Sequence, residues 1–218
     1  MLNLQPLGDQ AVLTNFAQEE EALHFSAAVR SASPGWLLDV VQAYATVAVF
    51  FSPDGINFHG VRDWLLALER TPPGEPIPGR LHRIPCCYEK QLDLKRVAEQ
   101  TGLTEEDVIR LHAETVYTVY AIGFCPGFPY LGYLPATLSG VPRLATPRLR
   151  VEAGSVGLTG RQTGIYTEAR PGGWNLIGQT PLELVHVADD YFPLRTGDRV
   201  QFVRVDEAEF ERLKGERL

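Results

Sequence analysis

Lysine and cysteine are scarce in this chain, and no long apolar run interrupts it. Only three of its 20 basic residues are lysine (Lys90, Lys95, Lys214); the other 17 are arginine, scattered rather than clustered. The net charge is -7, which removes the electrostatic case for nucleic acid or an anionic membrane as partner. Three cysteines, Cys86, Cys87 and Cys125, are too few and odd in number for a disulfide framework, and they fit a reducing compartment. No stretch approaches the ~18 apolar residues of a membrane-spanning helix. The start "MLNLQPLGDQ" has neither a basic region nor an apolar core, so it does not read as a signal peptide. The expectation is a soluble cytoplasmic protein.

Other absences exclude chemistries. No lysine lies between Lys95 and Lys214, so an amidase Ser–Ser–Lys arrangement cannot be built around the glycine-rich run "AGSVGLTGRQTG" (153–164). That run is not a phosphate loop either. Arg161 and Gln162 stand where lysine and a hydroxyl residue are required, and "IYTEARPGG" cannot supply the following helix. Ser155 sits in an approximate nucleophile elbow, but an elbow passes from strand into helix, and here further glycines follow. Cys86 and Cys87 are neighbours on a strand and point to opposite faces. His82 and Cys86 share a face but stand roughly 13 Å apart, too far for one metal ion. No pair of histidines has ligand spacing. The expectation is no metal site, with catalytic residues unassigned.

What is present organises into two halves. "AVLTNF" alternates as a strand does. "AQEEEALHFSAAVRS" reads as a helix with an acidic start, stopped by Pro34 and Gly35. "WLLDVVQAY" and "TVAVFF" read as a hairpin, "NFHGVRDWLLALER" as a helix and "LHRIPCCY" as a strand. That order is βαββαβ, the ferredoxin-like pattern. "TPPGEPIPG" (71–79) holds four prolines and predicts a stiff connector. Two short helices follow, the first ended by Gly102 and the second capped by Thr104. From "VYTVYAIGF" on, short β runs alternate with Gly- and Pro-rich turns, the signature of a barrel or sandwich. A terminal helix is expected in "DEAEFERLKG". The fold class is therefore α+β: a small α/β domain over 1–79 and a β domain over 80–218.

The segment "GFCPGFPYLGYLP" (123–135) holds three glycines, three prolines and four aromatics. It predicts a shaped loop outside any strand or helix, with Phe124, Phe128, Tyr130 and Tyr133 either plugging a barrel or lining a pocket. In 153–164 the reading is a set of tight turns with exposed amides, and nearby Arg148, Arg150 and Arg161 suggest an anion site. Trp174 in "RPGGWNLIG" is either a core ring or a binding edge.

Three blocks, "GFCPGFPYLGYLP", "PRLATPRLRVEAGSVGLTGRQTGIYTEARPGGWNLIGQTPLELV" and "LRTGDRVQF", together resemble the B subunit of the prokaryotic 5-oxoprolinase. This is also the sporulation-kinase inhibitor family, a family also labelled allophanate hydrolase subunit 1. The resemblance is strongest over 116–202. It implies a cyclophilin-like β-barrel for the second half and a complex with two other subunits that opens 5-oxoproline to glutamate using ATP. This chain would be a non-autonomous part of that hydrolase, with no nucleotide motif of its own. A different class, suggested by some members, is a regulator whose barrel groove binds and inhibits a histidine kinase. Allophanate hydrolysis is weakened by the missing amidase arrangement. Matched to the family's motifs, the binding positions are Phe124, Pro126, Gly127, Phe128, Tyr130, Arg148, Ser155, Gln162, Thr163, Tyr166 and Trp174. Arg148 is expected to hold an anion and the rings to form a groove wall.

Overall fold

The computed structural model describes residues 2–69 and 79–218. The predicted connector lies, apart from Gly79, outside the described residues. The chain divides into two compact units, 1–78 and 79–218, in a mixed α+β architecture.

In the first unit the apolar pattern directs four strands and two helices. Strands β1 (Asn3–Pro6), β2 (Ala11–Asn15), β3 (Leu37–Ala43) and β4 (Thr46–Phe51) form an antiparallel sheet in the order β1-β2-β4-β3. Helix α1 (Glu19–Ala32) has three glutamates in its first turn, where they complement the helix dipole. It ends at Ser33, which is left-handed with φ 38°, one residue before Pro34. Helix α2 spans Phe58–Glu69. Val12, Val47 and Val49 from the sheet meet Phe25 and Val29 of α1 and Val61 and Leu65 of α2. Each of these side chains, fully buried, contributes about 1.5–3 kcal/mol.

The ferredoxin-like reading is corrected here. The strand that completed its βαββαβ pattern, β5 (Leu81–Cys86), belongs to the second unit, where it runs parallel to β13 (Arg199–Arg204). Its buried face, His82, Ile84 and Cys86, alternates as the sequence suggests. Alternation fixes which side chains turn inward but not which strand lies alongside. The first unit instead gains β1, and its order is ββαββα.

The second unit adds α3 (Leu94–Thr101), α4 (Glu105–Glu114), β6 (Val116–Ile122), β7 (Pro129–Gly132), β8 (Arg148–Val151), β9 (Ser155–Thr159), β10 (Gln162–Ile165), β11 (Arg170–Gly172), β12 (Asn175–Gln179) and α5 (Glu207–Leu213). The ladder β5-β13-β6-β7-β10-β9-β12 closes on itself. Cys87, just after β5, exchanges two backbone hydrogen bonds with Gln179 at the end of β12, 2.8 and 3.0 Å. Seven strands thus enclose a core that includes Ile84, Val119, Leu131, Val156, Ile165, Ile177 and Phe202. Helix α4 begins where Thr104 accepts from the Asp107 amide. Its buried residues, Val108, Ile109 and His112, lie against this core. Strands β8 and β11 form a separate two-stranded ribbon.

Candidate functional site

The segment 123–128 is a tight turn joining β6 to β7. Gly123 N donates to Phe128 O (3.1 Å) and Phe128 N to Cys125 O (3.1 Å). The Thr167 hydroxyl fastens it from outside by donating to Pro126 O (2.6 Å). Gly127 has φ 69°, and a Cβ there would run into Val185 Cγ2, so both its conformation and its contact favour glycine. Phe124 also has φ 70°, an unusual conformation for a bulky residue. The residue is 58% exposed.

The second half of the segment is a strand, and the expectation of a loop throughout is corrected. Residues 129–132 are β7, paired with β6 on one side and β10 on the other. Proline at 129 is tolerated because it opens the strand.

Five predicted rings converge. Phe128 lies at their centre, with ring centroids 5.0 Å from Tyr130, 5.3 Å from Phe124, 5.3 Å from Tyr166 and 5.5 Å from Trp174, all near edge-to-face. Such pairs contribute ~0.5–1.5 kcal/mol beyond area burial. The rings rest on glycine. Gly157 of β9 lies directly opposite Gly164 of β10. A Cβ on Gly157 would sit 3.2 Å from Trp174 Cβ; one on Gly164 would sit 3.0 Å from both Phe128 Cζ and Trp174 Cζ3. The glycine-rich run therefore makes a bare patch of barrel wall for aromatic rings to cover.

Most amides of 153–164 are taken up within the protein. Gly154 N donates to Tyr166 O, Gly160 N to Val141 O and Ser155 N to Glu152 O, and the strand amides lie in ladders. Ser155 is buried on the same outward face as Gly157, and Gln162 opens β10 opposite Thr159.

Thr163 points the other way, into the barrel, and is fully buried. Its hydroxyl donates to Gly157 O (2.9 Å) and so must accept from His112 Nε2–H (2.9 Å). His112 Nδ1 is then the bare nitrogen and accepts from the Tyr88 hydroxyl (2.7 Å). Burial pushes His112 down to about 3 from its ordinary value, so the ring is neutral. This chain of hydrogen bonds is a satisfied core network and not a ligand site, which corrects the placing of Thr163 among binding residues.

The three arginines do not converge. Arg148 donates to Asp93 Oδ1 (2.7 Å), whose other oxygen accepts from Leu176 N (2.7 Å). Arg150 pairs with Glu152 (2.7 Å), and Arg161 lies over the Tyr133 ring at 4.0 Å. Arg148 thus pins the ribbon against the start of α3 through Nη2, while its Nη1 is buried with no hydrogen-bond partner among the described residues. Sequence reading missed Asp93. It also missed Asn175, which is fully buried and bonds Arg96, Pro142 O and Leu158 O. It missed Arg143 as well, although that residue lies within "PRLATPR", inside the second of the three family blocks.

Beside Tyr166, a cleft of ≈ 290 Å³ is lined by Gly154, Thr167, Thr180 and Lys214 among others. Its charged lining is internally paired: Lys214 with Glu211 and Glu183 with Arg217.

A family model for the carboxyltransferase domain, subdomain C and D, matches residues 2–193. The chain is 35% identical to the 5-oxoprolinase B subunit of Bacillus subtilis (strain 168), over 98% of this chain and 97% of that one. The chain belongs to the 5-oxoprolinase B-subunit family. A second member, from Haemophilus influenzae (strain ATCC 51907 / DSM 11121 / KW20 / Rd), is 37% identical over 93% of this chain and 97% of its own. The crystal structure of TTHA0988 superposes with a TM-score of 0.80 at 34% identity; it covers 94% of this chain, which spans only 40% of that longer chain. In this member of the 5-oxoprolinase B-subunit family, the first two sequence blocks build one feature, a ring cluster on a glycine seat. Of the residues expected to bind, Phe124, Phe128, Tyr130, Tyr166 and Trp174 are brought together with the Pro126–Gly127 turn, whereas Arg148 and Thr163 are not.

Proposed function

We propose that this chain is a non-autonomous subunit of an ATP-dependent 5-oxoprolinase that, with two other subunits, opens 5-oxoproline to glutamate. The observation carrying this is end-to-end similarity to two chains named as 5-oxoprolinase B subunits. The closed seven-strand ladder supports reading the second unit as the cyclophilin-like barrel of that family.

Chemistry is consistent with a shared site. A lactam is a poor electrophile, and its opening needs activation and stabilised oxyanion charge. The run 153–164 lacks the lysine and the following helix of a phosphate loop, and Arg161 lies on Tyr133. Here the chain's contribution is a surface, the exposed Phe124 and half-buried Tyr130 above buried rings.

The test is reconstitution. Glutamate release from 5-oxoproline and ATP is measured for this chain alone, for each pair of subunits and for all three. Turnover by the full set only is expected. Turnover by this chain alone, or none in any mixture together with tight binding to a histidine kinase, would overturn the reading.

A further inference from the structure

The rim of the ring cluster carries a cation that no described residue neutralises. Arg143 is exposed, and among the described residues no carboxylate pairs with it. Its neighbours Arg148, Arg150 and Arg170, by contrast, each hold one. The backbone on both sides of Arg143 is fixed. Pro142 O accepts from Asn175 Nδ2 (3.0 Å), and Leu144 N donates to Gly173 O (2.8 Å). Residues 142–144 are thereby stitched alongside 173–175, which places Arg143 next to Trp174. Asn175 is itself held by Arg96 and Leu158, so this rim is a rigid mount.

Two phenols lie in the field of this guanidinium. Burial raises the hydroxyl pKa of Tyr130 and of Tyr166, and in both cases Arg143 acts in the opposite direction. Tyr130 lies 5.0 Å from Phe128 and 5.9 Å from Trp174, ring to ring. A guanidinium mounted next to Trp174, in whose field two phenols lie, is suited to a small carboxylate. It offers paired N–H donors.

We propose that Arg143 is the carboxylate subsite of this chain. It receives the carboxylate of a small anionic lactam, while Phe124 and Tyr130 carry the apolar side of the ring. This rests on the 5-oxoprolinase reading and deepens it. Arg143 binds and orients; it performs no bond-making step.

The experiment uses the reconstituted three-subunit complex with L-5-oxoproline as substrate and 2-pyrrolidinone, the same lactam without its carboxylate, as competitor. Arg143→Gln should raise KM for 5-oxoproline roughly 30-fold, the loss of a charge-assisted contact, with kcat changed less than about threefold. Arg143→Lys should recover part of the loss. Inhibition by 2-pyrrolidinone should be unchanged by either substitution. An unchanged KM in Arg143→Gln, or a 2-pyrrolidinone affinity that falls in parallel, overturns the subsite while leaving the family reading intact. Absence of glutamate from the wild-type complex overturns that reading, and this substrate assignment with it. An unaltered melting temperature of Arg143→Gln would show that its exposed side chain does not hold the fold.

Discussion

Phe124 and Thr163 were both legible in the sequence as residues of interest, yet they have opposite roles. Phe124 occupies a left-handed backbone conformation and is largely exposed to solvent; strain of this kind is of order 1–3 kcal/mol and tends to persist at functional positions. Phe124→Gly removes the strain and little buried area. Its melting temperature should be equal to or higher than wild type, while glutamate release by the complex falls by roughly two- to tenfold, the loss of one ring contact. A loss of stability with activity retained would make the ring structural. Thr163→Val should do the reverse. It leaves the His112 Nε2–H without an acceptor inside the barrel, a cost of about 1–3 kcal/mol in denaturant unfolding. Sequence spacing could name both residues but could not separate them, because Phe124 is set outward by a turn with positive φ whereas strand register turns Thr163 into the core.

At the level of elements, the glycine pair on β9 and β10 explains a motif that looked like a phosphate loop. Secondary-structure periodicity was enough to locate β2 to β5, the capped α4 and the terminal α5. It could not reveal that Gly157 and Gly164 meet across a ladder, since that depends on register. Nor could it foresee that β7 is a strand, because three prolines and three glycines in thirteen residues mask the ladder on either side. Gly164→Ala would place a Cβ 2.8 Å from Pro129 O, a backbone atom that cannot turn aside. Destabilisation of roughly 1–3 kcal/mol is expected, along with a changed near-ultraviolet circular dichroism spectrum from displaced rings. A Gly164→Ala protein with wild-type stability and spectrum would show that the rings need no glycine beneath them.

For the whole molecule, the buried neutral histidine sets an acid limit. His112 has a folded value of about 3 against an ordinary ~6.5 in the unfolded chain. Its contribution is therefore complete above pH ~6.5 and is lost as pH falls from there towards 3, by up to ~1.4 kcal/mol per pH unit. Urea midpoints measured across that window should fall in wild type and fall less steeply in His112→Gln; parallel slopes would show that other groups govern acid unfolding. Closure of the strand ring was not legible in the sequence: it depends on Cys87 meeting Gln179, far apart along the chain. Of the chain's three tryptophans, Trp36 and Trp64 contact each other in the first unit. Trp174 alone belongs to the second unit. With Trp36 and Trp64 replaced by phenylalanine, emission would come from a single indole seated on the barrel wall. The protein would then carry its own optical gauge of whatever settles on that face.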